Sequence, residues 1–223
     1  MVDDRKSLLV GRLESMLALQ DSINSKINST WRTAGNPWYR AIWTECAELM
    51  DHVGWKWWKQ QEVDMLQVHL ELVDIFHFGL SELLQAHGSP QSAASYSIAA
   101  YDDYAAGRSI EPNADRWLSL IEEFALKVLN TKAFDLRAFS RLATAFGLDE
   151  LTLYEKYVEK NVLNIFRQDH GYKTGVYQKV WFGREDNEWL SAIAATIPKS
   201  AATFPQELYR QLAQKYSEVP VGG

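Results

Sequence analysis

Apolar residues recur at every third or fourth position along most of this chain, which is the spacing of one face of an α-helix. The longest periodic segments are residues 6–28, 39–53, 62–87, 114–131, 136–146 and 149–166, and shorter ones follow at 185–197 and 205–216. The alternation of apolar and polar residues that is typical of strands is nowhere sustained. The pattern therefore predicts an all-α fold.

Glycine and proline residues predict where several of these helices begin and end. Pro37 suits the start of the second helix, because its φ angle is already helical and its missing N–H would have no partner there. Gly54 and Gly88 suit helix C-termini, where a left-handed residue often follows the last turn. Gly147 is a stop of the same kind, and Asp149 is a typical N-cap for the helix that follows it.

Two segments lack a clear helical pattern. Residues 91–108 are rich in Ala, Ser and Tyr and predict either a helix or a long connection before Glu111 and Pro112. Residues 167–186 combine Gly, Lys, Arg and aromatic side chains without a period, and we interpret them as a functional loop. Because we find no repeat, linker or shift in composition, we expect a single domain over residues 1–223.

The composition excludes several functional classes. The 223 residues contain 23 Lys and Arg against 29 Asp and Glu, and this net charge of -6 disfavours a general DNA- or RNA-binding protein. A single cysteine, Cys46, excludes a disulfide scaffold and a cysteine-rich zinc module. No apolar run approaches the roughly 18 residues of a membrane span, and the acidic start is unlike a signal peptide. We therefore expect a cytoplasmic protein without membrane contact.

Four carboxylates form two pairs on neighbouring predicted helices. Glu45 and Glu48 are three positions apart, as are Glu71 and Asp74, so each pair projects from one helical face. The 22 residues between the pairs are enough for the chain to double back and bring the four groups together. Such a cluster repels itself unless it is protonated or binds cations, and oxygen ligands favour magnesium or manganese.

The alternative is that these acids lie on solvated helix faces, where two carboxylates at i, i+3 are common. Their setting favours a site instead. Both pairs lie inside strongly apolar stretches, AIWTECAELM and HLELVDIFHFGL, where solvated acids would be poorly placed.

These motifs and their surroundings resemble a known family. The ExxE motif, the spacer and the ExxD motif together are similar to the metal signature of the all-α nucleoside triphosphate (NTP) pyrophosphatases. Four blocks in order resemble the dimeric dUTPases: LALQDSIN, WYRAIWTECAELMDHVGWKWWK, ELVDIFHFGLSELL and KNVLNIFRQDHGYKTGVYQKVWFGREDNEWL. The resemblance is strongest over residues 8–87 and 156–190, whereas 88–145 and 196–223 carry little of it.

The resemblance implies a helical bundle of the all-α NTP pyrophosphatase type with the activity of a dUTP diphosphatase. Hydrolysis of dUTP, and of dUDP as well, to dUMP would limit the incorporation of uracil into DNA. The cofactor would be Mg²⁺, with Mn²⁺ as a substitute, and its ligands would be the catalytic residues Glu45, Glu48, Glu71 and Asp74. Glu45 would also orient or deprotonate the attacking water, and the protein would be a homodimer.

Gln20 and Asn24 are candidates for recognising the base. They are four positions apart on the apolar stripe of the first helix, where amides must be hydrogen-bonded. A side-chain amide offers a donor and an acceptor, which complements the acceptor, donor, acceptor edge of uracil and mismatches cytosine. A satisfied contact within the core is the alternative interpretation of both residues.

Trp55, Trp57 and Trp58 form a cluster of a kind that more often indicates core or interface packing than a ligand platform. Within the pattern of the dUTPase family, Trp58 would line the uracil pocket, and Lys59 or Lys56 would lie near phosphate. Phe78, on the third helix, would lie against the sugar.

A basic group in the second half of the chain would contact the phosphates. Lys160, Asn164 and Arg167 are spaced to lie on one helical face, and a glycine-bearing loop follows them. The resemblance assigns substrate contacts to Lys160, Asn164, Arg167, Tyr172, Lys173 and Asn187. For Lys160 alone, the alternative is a solvated basic edge of the helix.

Three other functions stay open at this point. A related helical pyrophosphatase acting on dCTP or modified deoxynucleotides would use the same metal ligands and differ only in the base pocket. A di-iron carboxylate bundle would use Asp74 and His77 as a DxxH pair, although no second helix carries such a motif. A non-enzymatic helical interaction module would use the aromatic residues as a dimer face.

Overall fold

The computed structural model describes residues 2–106, 114–198 and 203–219. The chain forms two compact units, Met1–Tyr154 and Glu155–Gly223. The interpretation of residues 1–223 as one domain stays a prediction. Glu111 and Pro112, before which a helix or a connection was predicted, lie outside the described residues.

Helices make up 76% of the structure. The first unit contains α1 (Val2–Ile27), a 3₁₀ turn (Trp31–Thr33), α2 (Trp38–Val53), α3 (Met65–His87), α4 (Pro90–Ala105), α5 (Ala114–Thr131) and α6 (Leu136–Ala145). α7 (Glu150–Asp169) begins at the end of this unit and continues into the second. The second unit adds a 3₁₀ turn (Tyr172–Thr174), β1 (Val180–Trp181), β2 (Arg184–Glu185), α8 (Asp186–Ala194) and α9 (Phe204–Ser217). The all-α prediction is confirmed. Among the described residues, no helix combines the length and hydropathy that crossing a membrane requires.

Capping residues explain where α2 and α3 begin and end. α2 follows Pro37 and ends at Gly54, whose φ of 86° is rarely adopted by other residues. The Asp64 side chain accepts hydrogen bonds from two backbone N–H groups of the first turn of α3. The helix therefore begins at Met65 and not at residue 62, where the apolar pattern predicted it. Its end at His87 was predicted correctly.

Residues 91–108 were ambiguous in the sequence, and most of them form α4. Ser89 caps this helix, because its hydroxyl accepts a hydrogen bond from the backbone N–H of Ser92 at 3.1 Å, and Pro90 follows in the first turn. Ala93 and Ala94 are buried, and α4 packs against α1. Small residues allow this packing, which is why the segment shows only a weak apolar pattern.

α3 is the central helix of the first unit and contacts α1, α2, α4 and α6. Most of its residues are buried. The ring of Phe76 stacks on that of Phe139 in α6, with centroids 5.2 Å apart. The ring of Phe134 lies so close to Gly79 that a Cβ atom there would come within 2.6 Å of it. Close packing on several sides fixes the direction of the polar side chains that α3 carries.

The second unit gives a regular structure to much of the segment that we interpreted as a loop. β1 and β2 pair as an antiparallel hairpin, and the two residues between them, Phe182 and Gly183, have positive φ angles. Trp181 of β1 is buried with Phe166 in a core that α8 and α9 complete. Strands of two residues are too short to produce an alternating pattern, so the sequence does not reveal them.

Candidate active site

α2 and α3 bring three of the four candidate carboxylates together. One side-chain oxygen each from Glu45, Glu71 and Asp74 lies within 4.8 Å of the others. His52 lies two turns after Glu45 and contacts Glu71, which lies one turn before Asp74. The two helices therefore run in opposite directions, and this packing brings Glu45 to the Glu71 and Asp74 pair.

The electrostatics of this cluster favour a bound cation. Burial is the largest cause that raises the pKa of Glu45 to about 9, and the charge of Asp74 is the second. A hydrogen bond with Glu71 and the charges of Glu71 and Glu48 raise this pKa as well. Without a cation Glu45 therefore keeps its proton at neutral pH, whereas a divalent cation lets the carboxylates ionise together. An all-oxygen donor set of this kind fits magnesium or manganese.

Glu48 and His52 lie beside this cluster on α2. Glu48 is exposed and lies outside the group of three, although its charge acts on Glu45. Nε2 of His52 lies 3.5 Å from Oε1 of Glu71. His52 was not among the predicted ligands, although its position four residues after Glu48 places it on the same helical face.

Gln20 and Asn24 are buried in α1 and hydrogen-bond to α3. They are 4% and 7% exposed, and Nε2 of Gln20 donates to Oδ1 of Asn24 at 3.0 Å. Nδ2 of Asn24 donates to Oγ of Ser81 at 2.9 Å. Oε1 of Gln20 lies 2.7 Å from Nδ1 of His77. Both amides are thus bonded to the helix that also carries two of the carboxylates.

The di-iron alternative gains no support from His77. Its Nδ1 atom bonds Gln20. Within the described part of the chain, the group of side chains that could hold a metal contains only carboxylates.

Trp55, Trp57 and Trp58 lie in the segment between α2 and α3 and not in the core. They are 40%, 90% and 58% exposed. Trp58 packs edge-on against the other two, with ring centroids 5.3 and 5.5 Å away. Core packing, one alternative for these residues, is therefore wrong. Lys59 is exposed in the same segment.

Phe78 is half-buried on α3, one turn after Asp74. Its ring stacks on that of Trp38, the first residue of α2, with centroids 6.3 Å apart. Nε1 of Trp38 donates to Oε1 of Gln85 at 3.0 Å, which fixes the indole. An aromatic surface of defined orientation thus lies one helical turn from the carboxylates.

In the second unit, four of the predicted phosphate contacts lie together. Lys160 is 3% exposed, and its Nζ donates to Oδ1 of Asn187 at 3.1 Å. Two nitrogens of Arg167 lie 3.4 Å from the side-chain oxygens of Asn164 and Asn187, respectively. The alternative of a solvated helix edge is therefore wrong for Lys160.

Tyr172 and Lys173 lie in the 3₁₀ turn that follows α7. The guanidinium of Arg167 lies over the ring of Tyr172, 5.8 Å from its centroid. This contact joins Tyr172 to the basic group. Lys173 is exposed. Gly171 begins the turn with a φ of 84°, a conformation that favours glycine.

Asp186 belongs to this basic group, although the sequence did not identify it. Its fully buried carboxylate accepts two hydrogen bonds of 2.8 Å from Arg167. It accepts a third, of 2.9 Å, from the hydroxyl of Tyr177. The only sequence signal was its position beside Asn187. Because one carboxylate accompanies two cations, Lys160 and Arg167, these three side chains keep a net positive charge.

The dUTPase family model matches residues 12–172, which is most of the chain. The chain belongs to the all-α dimeric dUTPase family. As a dUTPase it is a dUTP diphosphatase, an enzyme that depends on a divalent metal. The match covers the carboxylate cluster and both amides of α1, while Lys173 and Asn187 lie beyond it. No curated protein matches the chain.

Proposed function

We propose that this dUTPase hydrolyses dUTP, and dUDP as well, to dUMP with Mg²⁺ as its metal and Mn²⁺ as a substitute. The observation that carries the proposal is the cluster of Glu45, Glu71 and Asp74, in which one side-chain oxygen from each residue lies within 4.8 Å of the others. Hard divalent cations prefer such oxygen donors. Glu48 would join them, since its charge already acts on Glu45.

The metal, when bound, neutralises charge on the phosphates and lowers the pKa of a water molecule. The carboxylates of the cluster would hold the metal in place. We assign to Glu45 the task of orienting or deprotonating the attacking water. Glu45 is half-buried and hydrogen-bonded to Glu71, so its direction is restrained, as a positioned base requires.

The proposed substrate contacts follow the chemistry of each side chain. Gln20 and Asn24 present amides to the uracil edge, and their burial supports this role because an unmatched base would leave polar groups unpaired. Trp58 lines the base pocket, Phe78 lies against the sugar, and Lys59 lies near phosphate. In the second unit the phosphates are bound by Lys160, Asn164, Arg167, Tyr172, Lys173 and Asn187.

We further propose that the enzyme is a cytoplasmic homodimer that limits the incorporation of uracil into DNA. Large exposed aromatic side chains support a subunit interface, since Trp43 is 47% and Trp57 is 90% exposed. The net charge of -6 opposes a nucleic-acid polymer as partner and is compatible with a free nucleotide that binds together with its metal ion.

The test is hydrolysis of dUTP and dUDP, with release of pyrophosphate or phosphate measured in Mg²⁺, in Mn²⁺ and in EDTA. We expect dUMP in both metals and none in EDTA. Turnover of dCTP or TTP faster than that of dUTP would reject the base assignment. Equal rates with and without metal would reject the role of the cluster.

Two substitutions on one helix test the cluster itself. Glu71→Gln removes a ligand and should lower kcat/KM by more than about 100-fold, because loss of outer contacts to metal ligands alone costs 10- to 100-fold. Glu82→Gln is the matched control, since Glu82 is half-buried on α3 but lies outside the cluster. If both variants keep wild-type activity, the proposed ligand set is wrong.

A further inference from the structure

We infer that His77 and Ser81 of α3 are positioning residues that fix which way the amides of Gln20 and Asn24 point, and thereby set the preference for uracil over cytosine. The inference rests on the proposed function, in which these two amides read the base. Neither His77 nor Ser81 was a candidate substrate contact. Both are buried, with exposures of 4% and 0%.

The four side chains form one continuous chain of hydrogen bonds. His77 Nδ1 lies 2.7 Å from Gln20 Oε1, and Gln20 Nε2 lies 3.0 Å from Asn24 Oδ1. Asn24 Nδ2 lies 2.9 Å from Ser81 Oγ. Ser81 Oγ lies 3.0 Å from the backbone carbonyl oxygen of His77, so the chain returns to the residue at which it began.

The carbonyl oxygen at the end of this chain determines its direction. The hydroxyl of Ser81 donates its single hydrogen to this carbonyl oxygen, which can only accept. Ser81 Oγ must then accept from Asn24, and the nitrogen of the Asn24 amide has to face Ser81. The oxygen of Asn24 consequently faces Gln20 and requires the Gln20 nitrogen opposite it.

The same reasoning continues to the imidazole ring. Since the nitrogen of Gln20 faces Asn24, its oxygen faces Nδ1 of His77. An amide oxygen cannot donate, so Nδ1 must carry a hydrogen. One backbone carbonyl thus fixes the orientation of two amides and the protonation of one ring nitrogen. Without it, each amide could be turned over and the other ring nitrogen could carry the hydrogen.

This fixed direction has a consequence for base selection. Rotating a side-chain amide by half a turn exchanges its oxygen with its nitrogen and so exchanges an acceptor with a donor. Uracil offers acceptor, donor, acceptor along its edge, whereas the amino group of cytosine puts a donor where uracil has an acceptor. An amide that could turn over would accommodate either base, whereas an amide held by Ser81 and His77 accommodates one.

The first test uses two buried serines that make the same local bond. Ser81 bonds the carbonyl four residues earlier, and so does Ser140, whose Oγ lies 2.6 Å from the carbonyl oxygen of Leu136 in α6. Ser81→Ala should lower the ratio of kcat/KM for dUTP over dCTP by about 10-fold or more, since matched polar sites reject analogues by larger factors still. The loss should lie mainly in KM for dUTP.

Ser140→Ala is the control, because Ser140 contacts neither amide, and it should leave the ratio unchanged within roughly twofold. A purely structural role for Ser81 would make both variants lose stability without a change in the dUTP to dCTP ratio. That result would overturn the inference.

A second pair of variants tests His77. An asparagine amide nitrogen can occupy nearly the same place as the Nδ1 atom of histidine, so His77→Asn should keep most of the discrimination. His77→Leu removes this hydrogen-bond donor and should lower the ratio of kcat/KM for dUTP over dCTP by about 10-fold or more, because a buried amide oxygen loses a partner. Equal discrimination in both variants would contradict the role of His77.

The third test needs neither activity nor a variant. A long-range ¹H–¹⁵N correlation spectrum of the wild-type imidazole rings shows which ring nitrogen of His77 is protonated. We expect a hydrogen on Nδ1, and a hydrogen on Nε2 alone would overturn the hydrogen-bond chain. If the wild-type enzyme fails to hydrolyse dUTP, the proposed function is refuted, while this spectrum still decides whether the amides are fixed.

Discussion

Arg167 binds both oxygens of the Asp186 carboxylate, with Nε to Oδ2 and Nη2 to Oδ1 each 2.8 Å apart. This pair links the end of α7 to the start of α8 within the second unit. Asp186 is fully buried and Arg167 nearly so, with 11% of its side chain exposed. Two parallel bonds hold the guanidinium in one plane, so Asp186 orients the side chain that we assign to phosphate binding.

Asp186→Asn should destabilise the second unit strongly. The substitution removes the buried carboxylate that pairs with the guanidinium of Arg167, and breaking a buried pair by removing one partner costs about 3–5 kcal/mol. The free energy of unfolding in urea measures this loss. Glu188→Gln is the control, because its partner Arg184 is exposed and the pair is worth less than about 1 kcal/mol. Equal effects of the two substitutions would show that the Asp186 pair is not buried in solution.

The second prediction concerns thermal stability in the presence of metal. Glu45→Gln should leave the melting temperature in EDTA near the wild-type value, because with a pKa of about 9 the metal-free Glu45 is already neutral at pH 7. Mg²⁺ at about 100 times its Kd should raise the wild-type melting temperature by roughly 5–10 °C. It should raise that of Glu45→Gln much less. Differential scanning calorimetry measures both values.

Asp51→Asn is the matched control for this experiment. Asp51 lies on α2 like Glu45, but it is exposed and bonded to Lys56 and Trp55. This variant should keep the full shift with Mg²⁺. A wild-type shift in Glu45→Gln would contradict the assignment of Glu45 as a metal ligand.

The sequence predicted the helices and three of the four clustered carboxylates because both follow from local spacing, whereas Glu48 lies outside the group. Glu71 and Asp74 are close whenever α3 is a helix, and an antiparallel partner is enough to bring Glu45 to them. The i, i+4 spacing of Gln20 and Asn24 is likewise local. For such features the spacing of residues along the chain already determines which side chains lie close together.

The features that the sequence missed depend on contacts between distant positions. Asp186 is 19 residues from Arg167, and Ser81 is 57 residues from Asn24. Neither serine nor aspartate carries a signal that indicates its partner. Trp57 shows the reverse error: a large aromatic residue favours burial by its type, but the segment between α2 and α3 leaves it 90% exposed.

A pH-dependent prediction follows from Glu82. Burial raises the pKa of Glu82 in the folded chain, and the hydrogen bond from the backbone N–H of Phe134 and the charge of His87 oppose this only in part. The folded state therefore binds this proton more tightly than the unfolded state. Its contribution to stability is complete below the unfolded pKa of about 4.3 and is lost as the pH rises through the folded pKa.

Glu82→Gln should therefore gain stability relative to wild type as the pH rises from about 4 to about 7. Urea titrations of both proteins at several pH values measure the difference. Asp51→Asn should show the opposite trend, because hydrogen bonds from Lys56 and Trp55 lower the pKa of Asp51. Its wild-type carboxylate stabilises the fold above the unfolded pKa of about 3.9, and this effect is lost as the pH falls below about 4 through the lowered folded pKa, so these titrations extend below pH 4. If the stability difference from wild type changed with pH in the same direction for both variants, the opposite pKa shifts assigned to Glu82 and Asp51 would be wrong.

The last prediction compares two glycines inside helices. Gly79→Ala would place a methyl group within 2.6 Å of the Phe134 ring, and Phe134 is itself buried, so the ring or the backbone of α3 must move. Overpacking of this kind costs about 1–3 kcal/mol. Gly11→Ala in α1 meets no atom within 4 Å and should instead stabilise the protein by about 0.5–1 kcal/mol, because alanine favours the helix. Urea unfolding should therefore shift in opposite directions for the two variants. A stabilised Gly79→Ala would show that Phe134 does not pack on α3 in solution.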